Sequence, residues 1–355
     1  MARGAFARLV PPPRLVDWAI LGAVCFEVAS GLVSLTVGMP GGAWLFDLHA
    51  VVGFSLVVLL AWKFRRVHAR VTERSLWDGG TPVSILLATL AVGALATGVY
   101  WAASGPVRVA GWPLLMVHMG LGLLVAPVLL WHLRHRFRLP TRELSSRRTA
   151  LQYGTLLVGG ALAWRLQSLV GSALGVAGAD RRFTGSKEDG SGEGNAFPVT
   201  SWVADDPDPI DPETWTLAVT GRVETDLTLE YPDISPDAGQ RAVLDCTSGW
   251  YSDHDWRGVR VGELLDEAGL ADDARWVRFR SVTGYRWSLP IEEAREALLA
   301  SHVDGEDLSH GHGFPLRLVA PGRRGFQWVK WVTSVEVTRN RDLGQWVAIF
   351  VSGLD

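Results

Sequence analysis

The stretch LDCTSGWYSDHDWRGVRVGELL, residues 244–265, decides how the second half of the chain folds. Its apolar start predicts the end of a β-strand, and the Thr-Ser-Gly directly after Cys246 is a turn sequence. Residues 261–269 then have the pattern of a short helix. Cys246 therefore lies at the tip of a predicted strand, a position where functional side chains are often found.

Short strand-like segments separated by turn signals continue on both sides of this stretch. They predict strands at Trp215–Thr220, Arg241–Leu244, Trp276–Arg280, Leu316–Val319 and Val332–Thr338, and helices at Val261–Gly269 and Ile291–Leu299. Strands and helices in this mixed order are typical of an α+β domain. The sequence therefore predicts an α+β domain over residues 197–355.

The whole chain has 355 residues, which favours two domains, and its two halves differ in charge. Residues 1–178 contain 16 Lys and Arg against 6 Asp and Glu, whereas residues 179–355 contain 18 against 31. With 48% hydrophobic residues and a net charge of −3, the composition excludes a disordered chain and a basic nucleic-acid-binding protein. Two cysteines, Cys25 and Cys246, exclude a disulfide scaffold and a multi-cysteine zinc or iron–sulfur site.

Long apolar runs fill the first half, at about 15–37, 44–62, 82–104, 112–133 and 151–175. A helix of about 20 apolar residues crosses the hydrocarbon core of a bilayer, and the first four runs meet this length with few charges. The fifth run is weaker because it contains Arg165 and Gln167. Residues 1–178 are therefore predicted to form an all-α transmembrane bundle of five helices, followed by a flexible Gly/Ser/acidic linker at 179–196.

Basic residues cluster in alternate loops of this bundle. They are Arg3, Arg8 and Arg14 before the first run, Lys63, Arg65, Arg66, Arg70 and Arg74 after the second, and Arg134, Arg136, Arg138, Arg142, Arg147 and Arg148 after the fourth. Positively charged loops stay in the cytoplasm. We therefore expect a multi-pass cell-membrane protein with a cytoplasmic N-terminus, whose residues after about 178 are extracytoplasmic.

Two pairs of histidines lie at matched depths on the second and fourth runs, which point the same way. His49 and His118 are near the outer face, and His68 and His132 are near the inner face. Paired imidazoles on parallel helices favour b-type haem, because neutral imidazole is a common axial ligand. The arrangement resembles the small four-helix cytochrome b modules of the cytochrome b561 and ferric-reductase kind, which implies one haem, or two if the inner pair also binds.

Alternatives stay open for the polar residues of the bundle. Each histidine could instead face the lipid headgroups, and the inner pair is less regular than the outer one. His135 could replace His132 as a ligand. Glu27 and Asp47 would either form part of a proton path or hydrogen-bond a neighbouring helix.

Cys246 is the only cysteine outside the predicted membrane runs. In an exported domain, an unpaired cysteine is a candidate metal ligand, nucleophile or intermolecular bridge, and a buried structural cysteine is the alternative. A nucleophilic cysteine needs an activating base. His254 is eight residues away, but the sequence indicates no further partner for it.

Three blocks of sequence resemble the signature of the sulfite oxidase superfamily of molybdopterin enzymes. They are residues 244–265, with a Cys followed by a Trp-x-Gly-Val element, then Gly284-Tyr-Arg-Trp-Ser-Leu-Pro290, and then His312-Gly-Phe-Pro-Leu-Arg317 to Gly322 with Val329-Lys330-Trp331. The blocks occur in the family's order. The resemblance covers roughly residues 197–340.

This resemblance implies that Cys246 binds molybdenum as a thiolate, a soft ligand suited to a metal that the cofactor also ligates through sulfur. Tyr285 is a candidate catalytic residue. The terminal phosphate of the pterin cofactor calls for cationic donors. By position in the motifs these are His312, Arg317 and Lys330, with Arg323 and Arg324 as further candidates or, alternatively, a solvated basic face.

The chain departs from sulfite oxidases proper at two places. It lacks their upstream Phe-x-Arg-Asn-His type of segment, and Thr-Ser-Gly-Trp-Tyr follows Cys246 where an Arg is expected. Both features help those enzymes to bind an anionic substrate, so sulfite is in doubt as the substrate. The pocket would instead be lined by aromatic and polar residues, namely Trp250, Tyr251, Asp253, His254 and Tyr285.

Ser146-Arg147-Arg148, before the last apolar run, is similar to a twin-arginine export signal. Such a signal suits a domain that receives its cofactor in the cytoplasm and crosses the membrane folded. Ala177-Gly-Ala179 resembles a cleavage site, but a retained helix fits electron transfer better.

The sequence thus predicts a membrane-bound molybdopterin-dependent oxidoreductase. We expect it to transfer an oxygen atom to or from a small oxyanion or an S- or N-oxide at a molybdenum ligated by Cys246. We also expect it to exchange electrons with the quinone pool through b-type haem. Its expected partners are this small-molecule substrate, quinone and membrane lipids, without nucleic acid. The alternatives are a cofactor-free binding or assembly module on a plain anchor, and an enzyme whose membrane half is only an anchor.

Overall fold

The structure is a computed structural model that describes residues 12–137, 139, 147–201 and 204–354. The chain divides into two compact units, Met1–Lys187 and Glu188–Asp355. Several residues used in the sequence predictions lie outside the described residues, namely Arg3, Arg8, Arg138, Arg142 and Ser146.

The described part of the first unit contains five α-helices. They are α1 (Pro13–Ser34), α2 (Ala43–Thr72), α3 (Thr81–Ala103), α4 (Leu114–Arg136) and α5 (Arg147–Ala173). A two-residue hairpin of β1 (Arg108–Val109) and β2 (Trp112–Pro113) lies between α3 and α4. The main helix pairs are α1 with α2, α3 with α4, and α2 with α5.

Four of these helices, α1 to α4, are long and apolar enough to cross a membrane, as predicted. The fifth predicted span does form a helix, α5, but it is not among the helices of the described residues that reach this apolar character. Arg165 and the glutamines within α5 lower its hydropathy. A count of five membrane-spanning helices is therefore not supported by composition and length.

Helix α2 continues ten residues beyond the apolar run that predicted it, through the basic segment 63–72. Lys and Arg are good helix formers, so the end of an apolar run need not be the end of a helix. Many large apolar side chains of the first unit are exposed, among them Leu124 and Leu130. Such a surface is expected of helices that pack against lipid rather than water.

The second unit is α+β, as predicted. Its strands are β4 (Thr216–Gly221), β5 (Leu227–Glu230), β6 (Ala238–Asp245), β7 (Trp250–Arg260), β8 (Trp276–Ser281), β9 (Arg286–Pro290), β10 (Leu298–Val303), β11 (Glu306–Asp307), β12 (Arg317–Val319) and β13 (Val332–Thr338), after a two-residue β3 (Lys187–Glu188) at the division of the units. Its helices are α6 (Val261–Ala268), α7 (Ile291–Glu296) and α8 (Gln345–Val351).

These strands form two sheets. One has the order β5-β4-β13-β8-β9, in which only β4 and β13 are parallel among the pairs of the described residues. In the other, β7 lies between β6 and β10, and β10 also pairs with β11 and β12. One hydrophobic cluster contains fully buried residues of both sheets, for example Trp256 and Trp287. The two sheets therefore share a core.

Two predictions for this unit are corrected. The predicted helix Ile291–Leu299 ends at Glu296, and Leu298 already begins β10. Strand pairing of β10 with both β7 and β12 outweighs the local helical pattern. Strand β7 was not predicted, because its Ser, Asp, His and Gly residues resemble a loop.

The segment after the division of the units is held by hydrogen bonds, although its composition predicts a flexible linker. The backbone N–H of Gly194 donates to Asp304 Oδ2 at 3.1 Å, and the Asn195 side chain donates to the Asp307 carbonyl at 2.9 Å. Asn195 Oδ1 in turn accepts from the backbone of Ser309 at 2.8 Å. Residues 194–195 are therefore part of the second unit.

Candidate active site

Cys246 follows the last residue of β6 and is buried, with 7% of its surface exposed. Its backbone N–H donates to the Trp250 carbonyl at 2.9 Å, and its carbonyl accepts from Gly249 at 3.2 Å, which closes the predicted turn. Gly249 has a φ of +104°, which favours glycine there. The Cys246 Sγ is 3.1 Å from Ser248 Oγ. A rigid turn between two paired strands thus positions the thiol.

Arg324 holds the backbone of Cys246 in place. Its guanidinium donates to the Cys246 carbonyl at 3.2 Å and forms an ion pair with Asp245 at 3.2 Å, with both side chains buried. Gly325 lies so close that a Cβ added there would be 3.1 Å from the Cys246 Cα. The sequence placed Arg324 among the phosphate-binding candidates, and the structure brings it beside Cys246.

The other three cofactor candidates converge on one loop, residues 311–313. Arg317 donates to the His312 carbonyl at 2.9 Å, and Lys330 donates to the Gly311 carbonyl at 2.7 Å and to Ser201 Oγ at 2.8 Å. His312 is buried, and its Nδ1 and Nε2 are 2.7 Å and 2.9 Å from Ser309 Oγ and the Phe197 carbonyl. The structure therefore brings together side chains that the motifs separate by up to 18 residues.

The surroundings of these three side chains disfavour their charged forms. Burial lowers the pKa of Arg317 to about 10, although the nearby Cys246 opposes this. Burial and Arg317 lower the pKa of Lys330 to about 7, and burial lowers that of His312 to about 4. A buried cluster of this kind is stabilised by an anion, because opposite charge restores the protonated forms.

Arg323, the fifth candidate, is directed to a different partner. Its guanidinium forms a two-point ion pair with the Glu293 carboxylate on α7. Both side chains are about one third exposed or less. The Arg323 guanidinium is thus bound by Glu293, which is compatible with the alternative interpretation of Arg323 as part of a basic surface.

Tyr285 is buried, and its hydroxyl donates to the Phe326 carbonyl. Burial and the carboxylate of Asp205 raise the pKa of Tyr285, so that the phenol stays protonated. Asp205 is itself buried, and burial raises its pKa. No residue pattern marks Asp205 as a site residue, because it lies in a loop rich in acidic residues.

An aromatic cluster surrounds the basic residues. The Phe197 ring is 3.9 Å from the ring of His312 and 4.5 Å from that of His254, between centroids. Arg317 lies 5.8 Å from the rings of both Trp256 and Trp328. Phe197, Trp256 and Trp328 were not predicted as site residues, because tryptophan and phenylalanine in β-rich sequence are most simply interpreted as core.

The structure of the first unit brings His49 and His118 together. Their ring centroids are 6.2 Å apart and the ring planes are nearly perpendicular, at 85°. Each Nδ1 has a partner: that of His49 is 2.8 Å from Ser30 Oγ and 3.1 Å from Glu27 Oε2, and that of His118 is 2.8 Å from the Ala94 carbonyl. This pattern leaves the two Nε2 atoms as the remaining nitrogens of the rings.

The second histidine pair does not meet. His132 Nδ1 is 3.1 Å from Ser84 Oγ, whereas His68 and His135 are exposed. Among the described residues, no ring contact joins His132 to His68, which lies in the basic C-terminal part of α2, residues 63–72. Glu27 contacts His49 on α2, and Asp47 accepts from Trp164 at 3.0 Å, so both acids bond a neighbouring helix.

Comparison with known proteins identifies the second unit. The family model described as an oxidoreductase molybdopterin binding domain matches residues 204–346. The chain is 31% identical over 156 residues to the uncharacterized oxidoreductase YuiH of Bacillus subtilis (strain 168), a match that covers 42% of this chain and 78% of YuiH.

Two further relatives match over smaller shares. Mitochondrial sulfite oxidase of Mus musculus is 34% identical over 115 residues, which is 29% of this chain and 21% of the mouse enzyme. The sulfane dehydrogenase SoxCD of Paracoccus pantotrophus matches in structure with a TM-score of 0.36 and 26% identity, over 38% of this chain and 40% of that one. The matched family model, together with the match over most of YuiH, places this chain among the molybdopterin-binding oxidoreductases of the sulfite oxidase family.

Proposed function

We propose that the chain is a membrane-anchored oxidoreductase that transfers an oxygen atom to or from a small oxyanion or an S- or N-oxide at a molybdenum ligated by Cys246. It exchanges electrons with the quinone pool through b-type haem. The observation that carries the proposal is the clustering of cations near Cys246. Arg324 binds the Cys246 carbonyl, and Arg317 and Lys330, which meet at the loop 311–313, are both close enough for Cys246 to influence their pKa values. The four candidate spans of the first unit support the membrane part.

The residues around Cys246 fit a molybdopterin cofactor. Arg317 Nε is buried and has no hydrogen-bond partner among the described residues, although a buried polar atom normally has one. Arg317, Lys330 and His312 have pKa values there that are below their usual range, and a bound anionic phosphate would raise them. We therefore assign Cys246 to molybdenum, and His312, Arg317 and Lys330 to the phosphate.

When bound, the cofactor supplies a metal centre for two-electron oxygen-atom transfer. The protein's own part is to hold the reacting groups in place. Arg324 fixes the carbonyl of Cys246, and Ser248 contacts its Sγ, so that the thiolate keeps one direction. Tyr285 keeps its proton and is a candidate pocket residue, with its hydroxyl held on the Phe326 carbonyl.

In the membrane unit we assign one haem, to His49 and His118. The 6.2 Å between their ring centroids brings the two imidazoles together, so that both would be available to one haem iron. A bound Nδ1 on each ring, as seen here, fixes the tautomer that leaves Nε2 for a metal. For the inner pair, His68 and His132, no ring contact among the described residues brings the two imidazoles together.

The orientation in the membrane follows from the basic loops. We propose a cytoplasmic N-terminus, an extracytoplasmic catalytic unit, and export of the folded unit through the twin-arginine route. Arg147 and Arg148 of that motif begin α5. Because α5 is less apolar than α1 to α4, hydropathy supports the membrane crossing by α5 less than it supports the other four crossings.

The test is to purify the full chain in detergent and to measure molybdenum, pterin and the haem absorption spectrum, followed by a redox-dye screen across sulfite, sulfoxides, N-oxides and chlorate-type oxyanions. We expect about one molybdenum per chain, a reducible b-type spectrum and turnover of one substrate class. Protein with neither molybdenum nor haem would refute the proposal. Molybdenum without haem would leave an enzyme whose membrane unit is only an anchor.

A further inference from the structure

Helix α8, Gln345–Val351, buries the wrong side for a helix that meets water. Its buried residues are small or polar, namely Gln345, Ala348 and, directly after the helix, Ser352. Its exposed residues are large and apolar, namely Trp346, Val347, Phe350 and Val351. A helix at a water-facing surface normally buries its apolar side chains and exposes polar ones. The outer side of α8 is therefore suited to an apolar neighbour.

The exposed residues form one continuous surface. Successive residues of an α-helix are about 100° apart around its axis, so residues 346, 347, 350 and 351 lie within about 140°. Leu343 and Leu354, just before and after the helix, are 73% and 66% exposed and add apolar surface at its ends. We call these six residues the α8 face.

Contacts with the core of the second unit keep the α8 face turned outward. Gln345 Oε1 accepts from the backbone N–H of Ser288 on β9 at 2.9 Å. The Trp346 ring packs edge-on against the buried Trp287 ring, with 5.0 Å between centroids. Because a rotation that buried the α8 face would break these contacts, its exposure is a fixed feature of the fold.

Basic residues adjoin the α8 face in a unit that is otherwise acidic. Arg339 and Arg341 precede the helix and are exposed. Asp342 is the only acid from Arg339 to the end of the α8 face, and it is ion-paired with Arg286 at 2.6 Å. Residues 179–355 as a whole contain 31 acidic residues against 18 basic ones. This part of the surface therefore suits an anionic partner.

A bilayer is the apolar partner that the chain itself brings close. Helices α1 to α4, which precede the second unit in the same chain, are long and apolar enough to cross one. Aromatic and aliphatic side chains beside arginines are typical of helices that lie in the membrane interface. A protein partner is less suited, because α8 is only about 10 Å long and a stable interface buries about 800 Å² of each partner.

We propose that the α8 face inserts into the interface of an anionic bilayer and holds the second unit on the membrane surface. Arg339 and Arg341 contact the lipid phosphates beside it. The inference rests on the membrane part of the proposed function. It adds to the helices of the first unit a second, peripheral contact with lipid, which sets the side of the second unit that faces the membrane.

The experiment is photo-cross-linking of the full chain. Val347→p-benzoylphenylalanine places a photoreactive group on the α8 face, and the protein is reconstituted into nanodiscs of phosphatidylcholine with phosphatidylglycerol. Mass spectrometry identifies the products after irradiation. The same replacement at Leu130, exposed on α4, is the positive control. At Asp226, exposed before β5 at the opposite edge of the sheet from β9, it is the negative control.

We expect lipid adducts at residue 347 in a yield about tenfold or more above that of the negative control. Arg339→Gln with Arg341→Gln should lower this yield about fivefold or more, and so should nanodiscs of phosphatidylcholine alone, because basic residues are attracted to anionic lipid. Val351→Glu with Leu354→Glu should lower it as well. The melting temperature in detergent should not change in this second double variant, because both side chains are exposed.

A yield at residue 347 no higher than that of the negative control would overturn the inference, as would products that join this residue to a second copy or to another part of the chain. An unchanged yield in both double variants would also overturn it. Lipid adducts at Leu130 beside none at residue 347 would refute the lipid contact of the α8 face alone. The absence of lipid adducts at both positions would refute the membrane part of the proposed function, and the inference with it.

Discussion

The two candidate redox centres of this protein are held by different kinds of structure. Cys246 lies in a turn against a core of fully buried side chains such as Trp256 and Leu244, and Arg324 fixes its backbone. His49 and His118 lie on helices of which only a few side chains are buried. The direction of each ring depends on the contacts of one ring nitrogen, Nδ1, with a neighbouring helix.

This difference shows what each centre tolerates. In the second unit, ligand position and fold stability share the same contacts, so a change near Cys246 affects both. In the first unit, the packing of the apolar helices maintains the fold, whereas the hydrogen bonds of the histidines only orient the two imidazoles. Variants at the two centres should therefore separate molybdenum chemistry, haem binding and folding.

The largest expected effect is that of Cys246→Ser. A hydroxyl is a poor substitute for a soft thiolate at molybdenum, so substrate turnover should fall to background. The haem spectrum should persist because His49 and His118 are untouched. Turnover with redox dyes and the absorption spectrum are the measurements, and a Cys246→Ser protein that stays active would remove Cys246 from the proposed centre.

His118→Ala tests the proposed haem centre in the same way. Without the second imidazole, the b-type spectrum should be lost or reduced to a small fraction, and quinol-linked turnover should cease. Dye-linked turnover and molybdenum content should remain near wild type. His68→Ala is the matched control, since its side chain is exposed, and it should keep the spectrum. An intact spectrum in His118→Ala is the result that contradicts the haem assignment.

Arg324→Met is expected to lower the free energy of unfolding rather than to abolish one redox centre alone. It leaves Asp245 buried without its cation, which typically costs about 3–5 kcal/mol. Denaturant unfolding of the second unit, followed by tryptophan fluorescence, measures the loss. The double variant Asp245→Leu with Arg324→Met should recover part of it, whereas an unchanged unfolding midpoint in Arg324→Met would show that the pair contributes little.

The smallest expected effect is a pH dependence from Lys330. Its pKa is about 7 in the folded protein, below the unfolded value of about 10.4. Between these values the unfolded chain binds more protons, so the free energy of unfolding rises with pH from about 7 to 10. In cofactor-free protein, Lys330→Met should lower the slope of the free energy of unfolding against pH by up to the contribution of one bound proton.

Melting temperatures of wild type and Lys330→Met across that pH range provide the comparison. Equal slopes would mean that Lys330 is not desolvated in the folded state. Added inorganic phosphate should flatten the wild-type slope, because a bound anion raises the pKa of the lysine again.

Much of this architecture could be predicted from the sequence. Four long apolar helices and strand β13, Val332–Thr338, follow directly from residue patterns. Strand β7 does not, because its identity depends on pairing with both β6 and β10, which local propensity does not encode. For the same reason, the helix predicted at Ile291–Leu299 loses its last residues to β10.

The candidate site divides in a similar way. Cys246, His312, Arg317 and Lys330 could be identified through motifs, and their convergence is a consequence of the fold. Asp205 could not be found, since a carboxylate in a loop is usually solvated, whereas this one is buried near Tyr285. Arg323 and Arg324, adjacent in sequence, have different partners because successive backbone positions point in different directions.

The closeness of Gly325 to the Cys246 backbone sets an order of events in biogenesis. With residues 324–325 packed on the turn, the thiol is 7% exposed, which leaves a bulky cofactor no direct approach. Loading must therefore precede the final docking of that loop. For the proposed cofactor site, maturation and folding would then be one process, and a chain that completes this packing without its cofactor would have no later opportunity to acquire it.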